Sequence, residues 1–333
     1  MADRTGQRKH DNRERRQPMI KKLAISCAVS LAAAASVTLT SSCNHRDLCY
    51  DHSHWLELDV NFDWSAQPDA HPITMVLYLF PTDGDKPLRY EFADINGSVI
   101  RVPAGNFDAV VFNGSTQTVV ENGTTFRDFT LSTDNEHILA PMSREIISDP
   151  PRYETTRDQP VKAAPDPVWS DKKEGITIAA SRAGQSLTFT PVEATATYTV
   201  ILTGVKNLSH AIGLSASLST MSESFSPATQ SHTGNEVTVP LPISMTDATT
   251  ASGTVALFGH CPVTPLREHI LTVYTSDMHY YNFDVTSQIH DAPDPRRITI
   301  SIDGIVLPEP DGTGMKPTVN GWLEDVNCDI DMN

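Results

Sequence analysis

Cys43 is the residue whose chemistry its neighbours constrain most. It stands directly behind the small polar run Thr40-Ser41-Ser42, which follows an Ala-rich apolar stretch from Leu23 to Leu39 and the basic start Met19-Ile20-Lys21-Lys22. A charged n-region, an apolar h-region and small residues at a cleavage point make the plan of a secretory signal peptide. A cysteine in the first position after the cut is the bacterial lipoprotein pattern. There the thiol takes a diacylglycerol and the residue becomes the new N-terminus. The expectation is therefore a signal peptide over 1–42, with Met19 as a possible true start, and a lipid anchor on Cys43.

Other residues could do chemistry, and each has a plainer reading. His45, His52 and His54 lie near Asp47 and Asp51, donors that could hold a divalent metal. Residues 43–54 also form the tether between lipid and first strand, where such residues serve solubility, so no metal is expected. His260 and Cys261 are adjacent, and adjacent residues of a strand point to opposite faces, which argues against a thiol–imidazole pair. Among the aromatics, Trp64 ends an inward-facing alternation and is read as core. Trp169 and Tyr281 remain as candidate ligand platforms. Nucleophile elbows, zinc-protease helices, phosphate loops and dinucleotide fingerprints are all missing from the sequence. The expectation is a protein that is not an enzyme and carries no cofactor.

Composition narrows the partners. The net charge is −16 over 333 residues, and removal of 1–42 takes away eight basic and three acidic residues, leaving −21 over 291. That balance excludes nucleic acid, whose binding rests on Lys and Arg neutralising phosphate. It also excludes an electrostatic hold on anionic lipid, so the acyl chains on Cys43 would have to carry the anchoring. After loss of Cys27 and acylation of Cys43, only Cys49, Cys261 and Cys328 remain. Three thiols do not form a disulfide framework.

The elements that must position these residues read as strands. Leu56, Leu58, Val60, Phe62 and Trp64 alternate with acidic and amide residues, the period of a half-buried strand. Further strands are expected at 73–80, 88–92, 98–102, 107–112 and 126–131, with Asn-Gly turns at 96–97, 113–114 and 122–123. Five prolines break the pattern between Asp149 and Lys173, which reads as a loop or linker with Trp169 as a docking residue. Strands resume at 187–189, 194–202, 211–220, 237–241, 253–258, 270–275, 279–285 and 297–302. A last alternation, Val326, Cys328, Ile330 and Met332, ends the chain. No stretch carries a helical period beyond a turn or two. The fold class is all-β: a β-sandwich over 55–148, a Pro-rich loop or linker over 149–174, and a second β-sandwich over 175–333.

From Cys43 onward the chain resembles a Bacteroides-type family of uncharacterised lipoproteins associated with fimbrillins and fimbrial anchors. The residues that carry the likeness are Cys43 to His52, Phe62-Asp63-Trp64, Met75 to Pro81, Leu88 to Phe92, Ile100 to Gly105, and Val319-Asn320-Gly321-Trp322. The resemblance implies two tandem sandwiches of the fimbrillin-like, transthyretin-like Greek-key type on the outer membrane of a Bacteroidota cell. It supplies no catalytic residues.

The function expected from these readings is a non-catalytic, lipid-anchored protein of the outer membrane and cell surface. It would act in adhesion or fibre assembly as a fimbrial accessory or anchor subunit, with fimbrial subunits as partners. Val326, Cys328, Ile330 and Met332 would form either a donor strand for a neighbouring subunit or the closing strand of the second sandwich. The alternative is a surface lipoprotein that binds a glycan or host ligand through Trp169 or Tyr281.

Overall fold

The computed structural model describes residues 55–138, 150–180, 184–261, 268–276, 278–309 and 323–324. Cys43, the histidines at 45, 52 and 54, and Val326, Cys328, Ile330 and Met332 lie outside the described residues.

Strands dominate. The first group is β1 (Trp55–Phe62), β2 (Thr74–Pro81), β3 (Leu88–Phe92), β4 (Gly97–Pro103), β5 (Gly105–Gly114), β6 (Val119–Asn122) and β7 (Thr130–Thr133). Next come β8 (Trp169–Ile178), β9 (Gln185–Phe189), β10 (Val192–Glu193), β11 (Ala196–Thr203) and β12 (Leu214–Ser226). The remainder are β13 (Ser231–Met245), β14 (Ala251–Leu257), β15 (Ile270–Thr275), β16 (His279–Asp284), β17 (Arg297–Asp303) and β18 (Leu323–Glu324). One short helix, α1 (Thr286–His290), sits between β16 and β17.

The N-terminal sandwich faces a sheet of order β4-β1-β9 with one of order β10-β8-β5-β2-β3. Leu58, Val60 and Phe62 of β1 meet Met75, Leu77 and Leu79 of β2 and Phe189 of β9 in one apolar core. The period-two pattern of β1 places these side chains inward and Glu57 and Asp59 in water. At the β3–β4 turn Gly97 has φ +114°, and a Cβ there would fall 1.9 Å from the Val60 carbonyl oxygen, so only glycine fits.

The C-terminal sandwich packs β17-β11-β14 against β13-β12-β15-β16-β18. The 15-residue β13 belongs to both layers, pairing with β12 along most of its length and with β14 at Ser244 and Met245. Tyr198, Leu202, Leu218, Leu241, Val273 and Ile300 are among the residues of its core.

Two expectations need correction. The second sandwich does not begin at 175. β8 pairs with β5 and β9 pairs parallel with β1, so the chain through Glu193 still belongs to the first sandwich. The charged run Asp171-Lys172-Lys173-Glu174 hid β8, because among the described residues its other neighbour, β10, pairs with it at just two residues. Along most of its length β8 is nearly an edge strand, where charges stay in water. The second correction concerns Asn113-Gly114, which closes strand β5 instead of forming a turn. The buried Asn113 amide donates to the Pro167 carbonyl at 3.0 Å and its oxygen accepts the Trp169 N–H at 2.8 Å.

The proline-rich segment is also pinned over much of its length. The Gln159 Oε1 accepts the Thr220 N–H (2.9 Å) and the Thr238 hydroxyl (3.1 Å), while its Nε2 donates to the Thr220 hydroxyl (3.0 Å). Thr238 N–H donates to the Pro160 carbonyl, Lys162 N–H to the Thr238 carbonyl, and the Tyr274 hydroxyl to the Pro151 carbonyl. The segment thus bridges to the edge of β13 at Thr238 and reaches β12 and β15 through Gln159 and Pro151. It helps explain why Ser217 and Thr272, on the face away from the core, are buried.

A third apolar cluster joins the two sandwiches. Val76, Phe80, Val110 and Phe112, on the outer face of β2 and β5, meet Phe129 and Leu131 near and in β7, with Phe225 and Phe258 of the C-terminal half. Phe129 lies within 4.7 to 5.9 Å, ring centre to ring centre, of Tyr78, Phe80 and Phe112. The β6–β7 hairpin extends the C-terminal sheet through Leu131 and Ser132, paired with Phe225 and Ser224 of β12.

Candidate functional site

The densest group of titratable side chains lies at one end of the C-terminal sandwich, two residues beyond Phe258. Three histidines converge there. The His260, His269 and His290 ring centres are 4.8 to 5.7 Å apart. Four elements supply the group. His260 follows β14 and bridges to Met221 of β12, while His269 immediately precedes β15. His290 ends α1, and Tyr198 of β11 reaches in from the core. The local backbone fixes His269, whose N–H donates to the Thr286 hydroxyl and whose carbonyl accepts the Val285 N–H.

The hydrogen bonds set the protonation pattern. His269 Nδ1 is 3.3 Å from the Ser219 carbonyl oxygen, which can only accept, so Nδ1 carries the proton. Its Nε2 then accepts from His290 Nε2 at 3.0 Å. His260 Nδ1 pairs with the Tyr198 hydroxyl at 2.9 Å, and burial pushes that phenol's pKa up, keeping it protonated.

Burial drives the His260 and His269 pKa values down to about 4, helped by the mutual repulsion of the rings. Burial likewise lowers His232, which senses His260 from β13. Asp284 offers His269 only the smallest of its opposing effects. At neutral pH, His260 and His269 are therefore uncharged.

Cys261 shares this neighbourhood. Its thiol lies 3.9 Å from the Ser222 hydroxyl and 3.5 Å from the Met221 carbonyl, and burial pushes its pKa up. A buried thiol with a raised pKa is a poor nucleophile. Among the described residues, no group of three or more His, Cys, Asp or Glu side chains is arranged to hold a metal ion. What the cluster can do is take up protons at a cost to the fold.

The sequence offered only the His260-Cys261 adjacency as a signal. His269 and His290 stand 21 residues apart without periodic relation, so nothing local marked them as neighbours. Of the two candidate ligand aromatics, Tyr281 is a correction. It is 5% exposed, packs in the C-terminal core and donates its hydroxyl to the Val306 carbonyl, so its ring offers no face to a ligand. Trp169 is half-buried at the start of β8, with Trp64 edge-on at 6.5 Å. Trp64 packs against the N-terminal core, as its alternation suggested, and donates to the Ile95 carbonyl.

Comparison with known proteins places the chain. The family described as "Domain of unknown function (DUF5119)" matches residues 42–242, more than half of the sequence. The chain belongs to the DUF5119 family. This DUF5119 protein is 25% identical over 89 residues to a Bacteroides ovatus protein named "Putative fimbrium anchoring subunit Fim4B". The match spans 27% of the chain and 26% of that relative, about a quarter of its length.

Among solved structures, a "putative adhesin" from Bacteroides ovatus superposes with a TM-score of 0.59 at 17% identity, covering 81% of this chain and 98% of that one. The fimbrial anchor protein Mfa2 from Porphyromonas gingivalis gives 0.46 at 12% identity, over 75% and 90% of the two chains. The adhesin likeness supports the same all-β sandwich architecture for the DUF5119 protein.

Proposed function

We propose that this DUF5119 protein is a non-catalytic cell-surface lipoprotein, held to the outer membrane through Cys43, that serves as an accessory or anchoring subunit of a fimbrium. The named relative and the shared fold support this reading, and one observation carries it. β18 runs parallel to β16 through only two pairs, His279 with Leu323 and Tyr280 with Glu324. Beyond them β16 has no further strand partner on that side among the described residues.

The chain beyond β18 alternates apolar Val326, Cys328, Ile330 and Met332 with polar Asn327, Asp329 and Asp331, a pattern that suits addition to the sheet of a neighbouring subunit. The donor role of Val326, Cys328, Ile330 and Met332 is the reading proposed here, with closure of the second sandwich as its alternative.

The test is recovery of the lipidated protein from surface-crosslinked cells, with and without residues 326–333. A ladder of fibre subunits with the full chain, lost on deletion while the circular dichroism spectrum stays intact, is expected. A deletion product that misfolds, or one that still carries fibre material, overturns the donor role. Recovery of the full chain alone at the surface overturns the fimbrial reading.

A further inference from the structure

β17 is an edge strand. Among the described residues it pairs parallel with β11 on one side and with no strand on the other. Its seven residues, Arg297 to Asp303, contain no proline and no bulge, and charge occurs only at the two ends. Such a straight edge is a template for another strand unless something covers it.

One side chain covers its centre. The Gln288 amide of α1 donates from Nε2 to the Ser301 carbonyl at 3.1 Å and accepts the Ser301 N–H on Oε1 at 2.7 Å. Both backbone groups of a strand residue point to the same side, so Ser301 faces away from β11, and so do Arg297, Thr299 and Asp303. Gln288 thus fills the hydrogen-bonding place that one residue of an added strand would take. Arg297 N–H is also held, by the Asp294 carbonyl in the preceding turn.

The strand that would fit this edge is β17 itself. Antiparallel pairing about Ile300 sets Thr299 opposite Ser301 of a second copy, the relation in which both residues exchange N–H···O bonds. The same register opposes Ile298 to Ile302. It also sets Arg297, which reaches Glu193 at 2.8 Å, opposite Asp303, so the end charges are complementary. The arrangement is two-fold symmetric and self-complementary, as a closed dimer requires.

We propose that Gln288 is an edge cover whose role is to keep β17 from pairing with β17 of a second copy of the chain. The test is sedimentation velocity of the full chain in detergent, with amide exchange at Ser301. Wild type is expected to be monomeric at tens of micromolar. Gln288→Ala should dimerise with a dissociation constant lower by about tenfold or more. Adding Thr299→Pro, which removes an outward N–H that the pairing uses, should return the variant to monomer. Gln288→Glu, which can accept the Ser301 N–H but not donate to its carbonyl, should fall between wild type and Gln288→Ala.

Three results overturn the proposal. In the first, Gln288→Ala stays monomeric while its Ser301 amide exchanges freely. In the second, dimer persists in Gln288→Ala with Thr299→Pro, or wild type already pairs through β17. In the third, neither Gln288 variant folds by circular dichroism, which makes the residue a folding requirement and not a cover.

Discussion

The two sandwiches bury different chemistry. The N-terminal core is filled by aliphatic and aromatic side chains from both of its sheets. The C-terminal half has an apolar core of its own, but also buries Ser215, Ser217, Ser219, Thr238 and Thr272, and has a histidine cluster at one end. A hydrophobic core is indifferent to protons. A buried imidazole is not, and a buried hydroxyl is tolerated only while it is hydrogen-bonded. The difference makes one half of the molecule conditional on its surroundings and the other half not.

The largest expected effect breaks the coupling between the halves. Phe129 is 1% exposed and sits at the centre of the junction cluster. Phe129→Ala should cost about 3–5 kcal/mol, as truncation of a buried phenylalanine does. Calorimetry should then show two separated transitions where the wild type shows one; a single transition, shifted but not split, would mean the halves unfold as a unit for other reasons.

Between about pH 6.5 and 4.5 acid should act chiefly on the C-terminal half. The folded His269 has a pKa of about 4, below the roughly 6.5 of an unfolded histidine, so the unfolded chain binds more protons between these values. Stability is full above about pH 6.5 and falls as the pH drops towards 4. For His269, which is fully buried, the loss is about 3 kcal/mol. Hydrogen exchange at pH 7 and pH 4.5 should weaken around β12 and β15 while β2 and β5 hold. Equal weakening in both halves would remove the histidines as the cause. Replacing His269 by Leu should flatten the dependence.

The smallest effect concerns the proline-rich strap. Gln159→Ala removes bonds to Thr220 and Thr238 and should cost about 1–3 kcal/mol, since partners in a part-buried site are left unsatisfied. Native-state amide exchange followed in each half should show the loss in the C-terminal one. A loss confined to the N-terminal half would mean that the strap belongs there.

Much of the fold was legible because strands announce themselves through period two. The predicted spans 88–92 and 270–275 coincide with β3 and β15, and the alternation at 56–62 lies within β1. β8 was not legible, since a strand with one side nearly free tolerates Lys172, Lys173 and Glu174. The burial of the β12 serines was not legible either, because it depends on distant segments such as the one that bonds Gln159 to Thr220 and Pro160 to Thr238. The histidine cluster was legible least of all. Its members meet only because α1 and the start of β15 fold against the end of β14, a long-range fact that local pattern does not encode. Tyr281 misled for a related reason: in a two-tyrosine run, strand geometry says that one ring points inward but not which.

The path of the chain between the sandwiches has a mechanical meaning. It leaves the first sandwich after β5 for the β6–β7 hairpin, returns through the strap to β8, and leaves again after β10. Three stretches of covalent backbone therefore cross the junction in place of a single tether. A tensile load applied across the molecule would be divided among them, and no one hinge peptide could let the two halves swing apart.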